Sequence, residues 1–141
     1  MANVFTRYQC YVEDRGRGLH NLNADVLKVA ITNTAPNTAT HKVLADITEI
    51  SAAHGYSAGG MTVASNAYSQ TAGVARLTGL SATVTASGGN VGPGRWFVLY
   101  NSTSSAKNLI GFWDQGISAT LTSGNIWSVD IDPALGILTD I

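Results

Sequence analysis

The stretch RWFVLY, residues 95–100, decides the fold. Successive side chains of a strand point to opposite faces. Here Trp96, Val98 and Tyr100 on one face are as apolar as Phe97 and Leu99 on the other. A strand of this kind belongs in the middle of a sheet that is covered on both sides. Outward from it, DVLKVAIT (25–32) alternates: Leu27, Val29 and Ile31 share one face while Lys28 and Thr32 lie on the other. That period of two marks a half-buried strand. Further strands are expected at 4–12, 61–65, 72–79, 82–86, 108–114, 117–122 and 125–131. Most are separated by turn residues: Gly88-Gly89-Asn90, Gly92-Pro93-Gly94, Ser102 to Ser105, Gly116 and Ser123-Gly124-Asn125. Many short strands at near-regular spacing predict an all-β fold, a β-sandwich or jelly roll. Its core should hold Leu27, Val29, Ile31, Phe97, Leu99 and Ile110. HKVLADITEI (41–50) is the one segment with helical spacing, and its β-branched residues limit it to a turn or two.

Composition bounds what such a fold does. A chain of 141 residues fits one domain, 1–141, and a domain of this size buries roughly 70% of its unfolded surface, so it needs no metal or cross-link. Net charge is −1, too little to draw the chain to nucleic acid or to anionic lipid. Charged residues make up 12%, against 37 Ser, Thr and Asn; about 25% charge is usual. A neutral polar surface of this sort suits close subunit contacts better than a crowded free monomer. Cys10 is the single cysteine, which excludes a disulfide-stapled module. No apolar run approaches the roughly 20 residues of a membrane span, and the first residues carry no secretion-type apolar segment. Folding in a cytoplasm is expected.

Chemistry-bearing patterns are weak. Gly55-Tyr56-Ser57-Ala58-Gly59 matches the G-x-S-x-G nucleophile elbow, which requires a strand-to-helix turn and a downstream histidine. Strand-like MTVAS follows, and no histidine occurs after His54, so a Gly-rich turn is expected and no catalytic residue is assigned. His20, His41 and His54 lack ligand spacing and one cysteine supplies no thiolate cluster; no metal or cofactor is expected. Asp130 and Asp132 lack the glycine and distal glutamate of a calcium loop. Arg15-Gly16-Arg17-Gly18 offers two arginines to a phosphate or an acidic partner surface, but beside Glu13 and Asp14 they form no basic patch, and the segment reads as a flexible exposed loop. Trp96, Trp113 and Trp127 read as core or interface anchors. MANVFTRYQCYV (1–12) and PALGILTDI (133–141) are apolar for chain ends, so these terminal arms are read as packing surfaces and at least one of them is expected to be ordered by a neighbouring molecule. Removal of 134–141 is expected to leave a folded domain. The candidate interface residues are therefore Arg15, Arg17, Leu135, Ile137 and Leu138.

The second half of the chain carries an order of motifs that resembles small structural proteins of tailed bacteriophages. GRWFVLYNSTSSAKNLIGFWDQGISATLTSGNIWSVDIDPALGIL (94–138) runs from an apolar strand ending in Tyr, through "LIG-aromatic-aromatic-D-x-G", to a Gly-centred turn and an "x-V-D" strand. In the first half DVLKVAITNT, THKVLADITEI and HGYSAGG follow the same proteins' order. Together these cover most of residues 24–138. A lone domain of this size looks most like a capsid cement, or decoration, protein. That resemblance implies a jelly-roll-like sandwich on the outer surface of the virion's head, made in the host cytoplasm, bound to the major capsid protein and to copies of itself as a dimer or trimer. It implies no catalytic residues. A tail or head–tail joining subunit is the alternative within the class; a carbohydrate-binding module on a host-recognition fibre is the alternative outside it.

Overall fold

A computed structural model describes residues 4–140; the expected arms extend past these limits at 1–3 and 141, which lie outside the described residues. The chain runs β1 (Phe5–Arg7), α1 (Cys10–Gly16), β2 (Leu27–Thr32), a 3₁₀ turn (Leu44–Asp46), β3 (Met61–Thr62), β4 (Ala67–Thr71), β5 (Val74–Thr78), β6 (Ala82–Thr85), β7 (Val91–Asn101), β8 (Leu109–Leu121), β9 (Ile126–Val129) and β10 (Leu138–Asp140).

RWFVLY is the inner part of β7, which lies between β8 and β2 in an antiparallel sheet of order β1-β8-β7-β2-β3. Leu99 stands opposite Val29, and Phe97 opposite Ile31. Two smaller antiparallel sheets, β10-β5-β4 and β6-β9, supply the second layer. Leu27, Val29, Ile31, Phe97, Leu99 and Ile110 are all fully buried. They share one cluster with Leu77 of β5, Val84 of β6, Val129 of β9 and Leu138 of β10. The other face of the large sheet is covered too. Val98, Tyr100, Ala30 and Leu109 pack with Tyr8 beneath Leu44 and Ile47. Each fully buried aliphatic or aromatic side chain contributes about 1.5–3 kcal/mol, and double coverage is why both faces of β7 are apolar. The result is an all-β, sandwich-like fold.

Several local expectations are corrected. The strand expected over 4–12 is strand only at Phe5–Arg7, and from Cys10 the chain is helical. Tyr8, Tyr11 and Asp14, three residues apart, are all buried while Val12 and Glu13 are exposed; that spacing is helical rather than alternating. The segment 13–18, expected as a loop, thus contains the last turn of α1. HKVLADITEI keeps only its single 3₁₀ turn, where the Asp46 carboxylate accepts the backbone N–H groups of Lys42 and Val43 at 2.9 and 3.1 Å. The strand expected at 72–79 is one arm of a hairpin. Its turn, Ala72-Gly73, has φ of +54° and +82°, the positive pair of a type I′ turn.

Residues 108–114 and 117–122 form one strand, β8, which continues through Gly116. Gly92-Pro93-Gly94 is likewise inside β7, where the pairing with β8 shifts register. Proline is accommodated in sheets at such irregularities.

Candidate functional site

β1 and β10 bring the two ends of the chain together. β10 pairs with β5, Thr139 standing opposite Arg76; β1 pairs with β8, Arg7 standing opposite Gly111. Among the described residues neither has a second strand partner, so each is an outer edge. The side chain that ties them is Asp140. One carboxylate oxygen accepts from Arg7 Nη1 at 3.0 Å and Arg15 Nη1 at 2.7 Å. The other accepts from the hydroxyls of Tyr11 at 2.9 Å and Tyr68 at 2.7 Å. Both guanidinium groups also stand near the Tyr11 ring, 5.8 and 5.9 Å from its centroid. Burial pushes the Asp140 carboxyl up, but the tyrosine hydroxyls and Arg15 outweigh it and hold it below the usual carboxylate range. The Tyr11 hydroxyl is driven the other way, by burial first and then by the Asp140 carboxylate that it serves as donor.

Between the two edges runs an open trough. Its larger part, about 480 Å³, is bordered by Phe5, Arg7, Arg76 and the consecutive residues 135–139. A smaller part, about 260 Å³, continues past Arg7 and Thr139 to Val12, Arg15 and Asp140. Alternate residues of a strand point to opposite faces. In this wall Leu138 and Thr139 belong to β10 and 135–137 to the turn before it, so the wall is part turn and part outer strand edge. Three guanidinium groups stand against one carboxylate here, and Val12 and Leu135 remain exposed beside them.

The structure brings four of the five candidate interface residues to this trough. Arg15 reaches Asp140 and Leu135 is exposed on the rim. Ile137 and Leu138 border the trough, with their side chains buried in the chain's own core. Their burial follows from pairing, since the Ile137 N–H donates to the Leu77 carbonyl at 2.6 Å and Leu138 lies opposite Leu77. The terminal segment is thus part of the sandwich rather than a dispensable arm. Arg17 stands apart, exposed at the C-terminal cap of α1 with its N–H on the Glu13 carbonyl at 2.9 Å. Sequence reasoning does not single out Arg7, Arg76, Tyr11, Tyr68 or Asp140. One signal is there: Asp140 falls two residues after Leu138, on the face that a strand turns inward.

The G-x-S-x-G segment is a turn with a bracing role. Tyr56 is buried; its hydroxyl donates to Glu49 and accepts the Ile31 N–H at 2.9 Å. The Gly59 N–H reaches the same Glu49 carboxylate at 2.8 Å. Ser57 is exposed, and the ring of His54 lies against Gly89 rather than over the serine. Ser57→Ala is expected to change stability by no more than about 0.5 kcal/mol, as at other exposed turn positions. A thermal melt displaced by several degrees would instead assign Ser57 a structural contact.

Among the described residues no three His, Cys, Asp or Glu side chains converge as a metal site would require. His20 lies beside Tyr11 and Asn101, and the His41 Nδ1 accepts the Asn37 N–H at 3.1 Å. Asp132 accepts the N–H groups of Ala134 and Leu135 at 2.7 and 2.9 Å, which shapes the turn before β10. The three tryptophans are engaged within the chain. Trp113 is buried against Phe5, Trp127 meets Phe97 edge-on at 5.6 Å, and Arg95 covers Trp96 at 4.7 Å. No family model, curated protein or solved structure matches this chain.

Proposed function

We propose that this chain is a virion structural protein, a cement or decoration subunit that binds the outside of an assembled phage head and bridges its major capsid proteins. The observation that carries this reading is the trough between β1 and β10: open, lined by Arg7, Arg15 and Arg76, and flanked by two strands that are outermost in their sheets among the described residues. It is a surface for another polypeptide rather than for a small molecule, which is held in a more enclosed and more apolar cavity. The low charge of the chain as a whole, 12% of residues, supports close packing against protein. No bond is made or broken in this role. Each copy supplies modest contacts to several shell subunits, and simultaneous engagement multiplies their effect. Copies placed around shell axes associate as dimers or trimers.

The engagement of all three tryptophans with neighbours of their own chain weighs against a sugar-binding module, which needs aromatic faces free to stack.

Co-sedimentation with undecorated, DNA-free heads tests the proposal. The expected result is saturable binding at on the order of hundreds of copies per particle, the multiplicity a closed symmetric shell imposes, with no comparable binding to naked DNA. Saturation at about a dozen copies would move the chain to the tail or the head–tail junction, where rings carry such numbers. Binding to DNA but not to heads would overturn the reading altogether.

A further inference from the structure

We propose that the trough between β1 and β10 binds an extended, acidic segment of a partner polypeptide, which adds to the open edge as an extra strand. The proposal deepens the shell-binding reading and rests on it only for where that segment comes from. Three observations converge on it. First, the outer edge of β10 (Leu138–Asp140) borders the trough, continued by the turn residues 135–137, and three residues of strand span about 10 Å. Edges of this kind recruit strands through main-chain hydrogen bonds. Second, the side chains around the edge carry a net positive charge, three arginines against Asp140. Arg7 and Arg15 are already opposed by Asp140, whereas Arg76 makes a 3.5 Å contact to the Leu135 carbonyl with no carboxylate partner among the described residues and stands directly across from Thr139 at the groove.

Third, the rim carries isolated apolar side chains, with Leu135 63% and Val12 52% exposed. A strand presents alternate side chains to such a surface, so an acidic residue meets an arginine while an apolar neighbour covers Leu135 or Val12. Charges on an edge strand also guard against pairing with the same edge of another molecule. Two copies of this edge would bring arginine against arginine, so like-charge repulsion disfavours self-pairing here and favours a carboxylate-bearing strand of different sequence.

The probe is a fluorescein-labelled peptide of alternating valine and aspartate, about five residues long as in a typical strand, followed by fluorescence anisotropy on the full chain. Two counter-probes accompany it: lysine in place of aspartate, and N-methylation of alternate backbone amides. The acidic peptide is expected to bind at least about tenfold tighter than either counter-probe, the margin that steering charges and lost main-chain bonds jointly supply. Arg76→Glu and, separately, Leu135→Glu are each expected to weaken it by about tenfold or more for the same reasons, while Arg17→Glu, the same charge change outside the trough, leaves it unchanged. Both groove variants spare the Asp140 contacts, and should Arg76→Glu fail to fold, Leu135→Glu decides. Equal affinity for the acidic and lysine peptides, or unchanged affinity in the folded groove variants, overturns the assignment. A chain that sediments with heads but binds no acidic strand loses the groove proposal and keeps the shell reading; acidic-strand binding without head binding does the reverse.

Discussion

Gly60→Ala is expected to destabilise the protein by about 4 kcal/mol or more, placing it among the exceptional single substitutions. Gly60 sits at φ +86°, and a Cβ there would lie 1.8 Å from the Val29 carbonyl oxygen and 2.8 Å from the Ala30 Cα. Both are backbone atoms of β2, the strand that pairs with β7 along its whole length, so nothing flexible gives way. The left-handed conformation alone costs a residue with a Cβ about 1–2 kcal/mol. Gly73→Ala separates the two effects: its φ is +82°, yet nothing lies within 4 Å of the added carbon. That control should therefore lose only about 1–2 kcal/mol. Chemical denaturation of both variants reads the difference, and thermal melting should place the midpoint of Gly60→Ala about 10 °C or more below wild type. Equal losses at the two positions would mean that the GYSAGG turn can move off β2.

The same turn illustrates how far residue order alone reveals the fold. HGYSAGG matches a hydrolase motif, but the missing downstream histidine and the third glycine point to a turn. The third glycine is the one pressed against β2. RWFVLY and VLKVAIT announce their places because both faces of one strand and one face of the other are apolar, and burial follows side-chain period directly.

What stays hidden depends on contacts between distant residues. Tyr8, Tyr11 and Asp14 have helical spacing, but Phe5, Val12 and the aromatic residues around them favour strand locally, and only packing beneath β8 and against residues far along the chain resolves the conflict. Ala72-Gly73 lacks the Asn-Gly or Asp-Gly signature of a tight hairpin, so β4 is not anticipated and the strand expected at 72–79 begins inside the turn. Gly116 and Pro93 read as breaks because a bulge and a turn use the same residues. The trough itself joins Arg7 to Asp140, which are 133 positions apart. Its ingredients are visible in the sequence only in part, as apolar ends and a charged 13–18 segment.

Asp140→Ala is expected to cost about 3 kcal/mol, less than the most severe losses from breaking a fully buried ion pair. The reduction has a cause. Arg7 and Arg15 are 43% and 37% exposed and turn to water when the carboxylate is gone, whereas the Tyr11 hydroxyl is left inside the protein without its acceptor, a loss of about 1–3 kcal/mol on its own. Asp140→Asn keeps an acceptor for the tyrosines and removes only the charge, so it should retain much of the lost stability. Removing residues 134–141 deletes this hub together with the buried Ile137 and Leu138, and should cost more than either substitution.

The pH dependence of the charge contribution has a definite sign. Asp140 is held below its unfolded-state pKa of about 3.9. A carboxyl whose folded pKa is depressed stabilises the protein fully above the unfolded value and loses that contribution as pH falls through the folded one. Wild type should therefore be more stable than Asp140→Asn near neutral pH, with the gap closing as pH falls from about 4 toward 2. Urea denaturation of the pair across that range measures the gap. A gap that stays constant in acid would mean that Asp140 contributes shape and hydrogen bonding but no charge, and the Arg7–Asp140–Arg15 arrangement would then owe nothing to electrostatics.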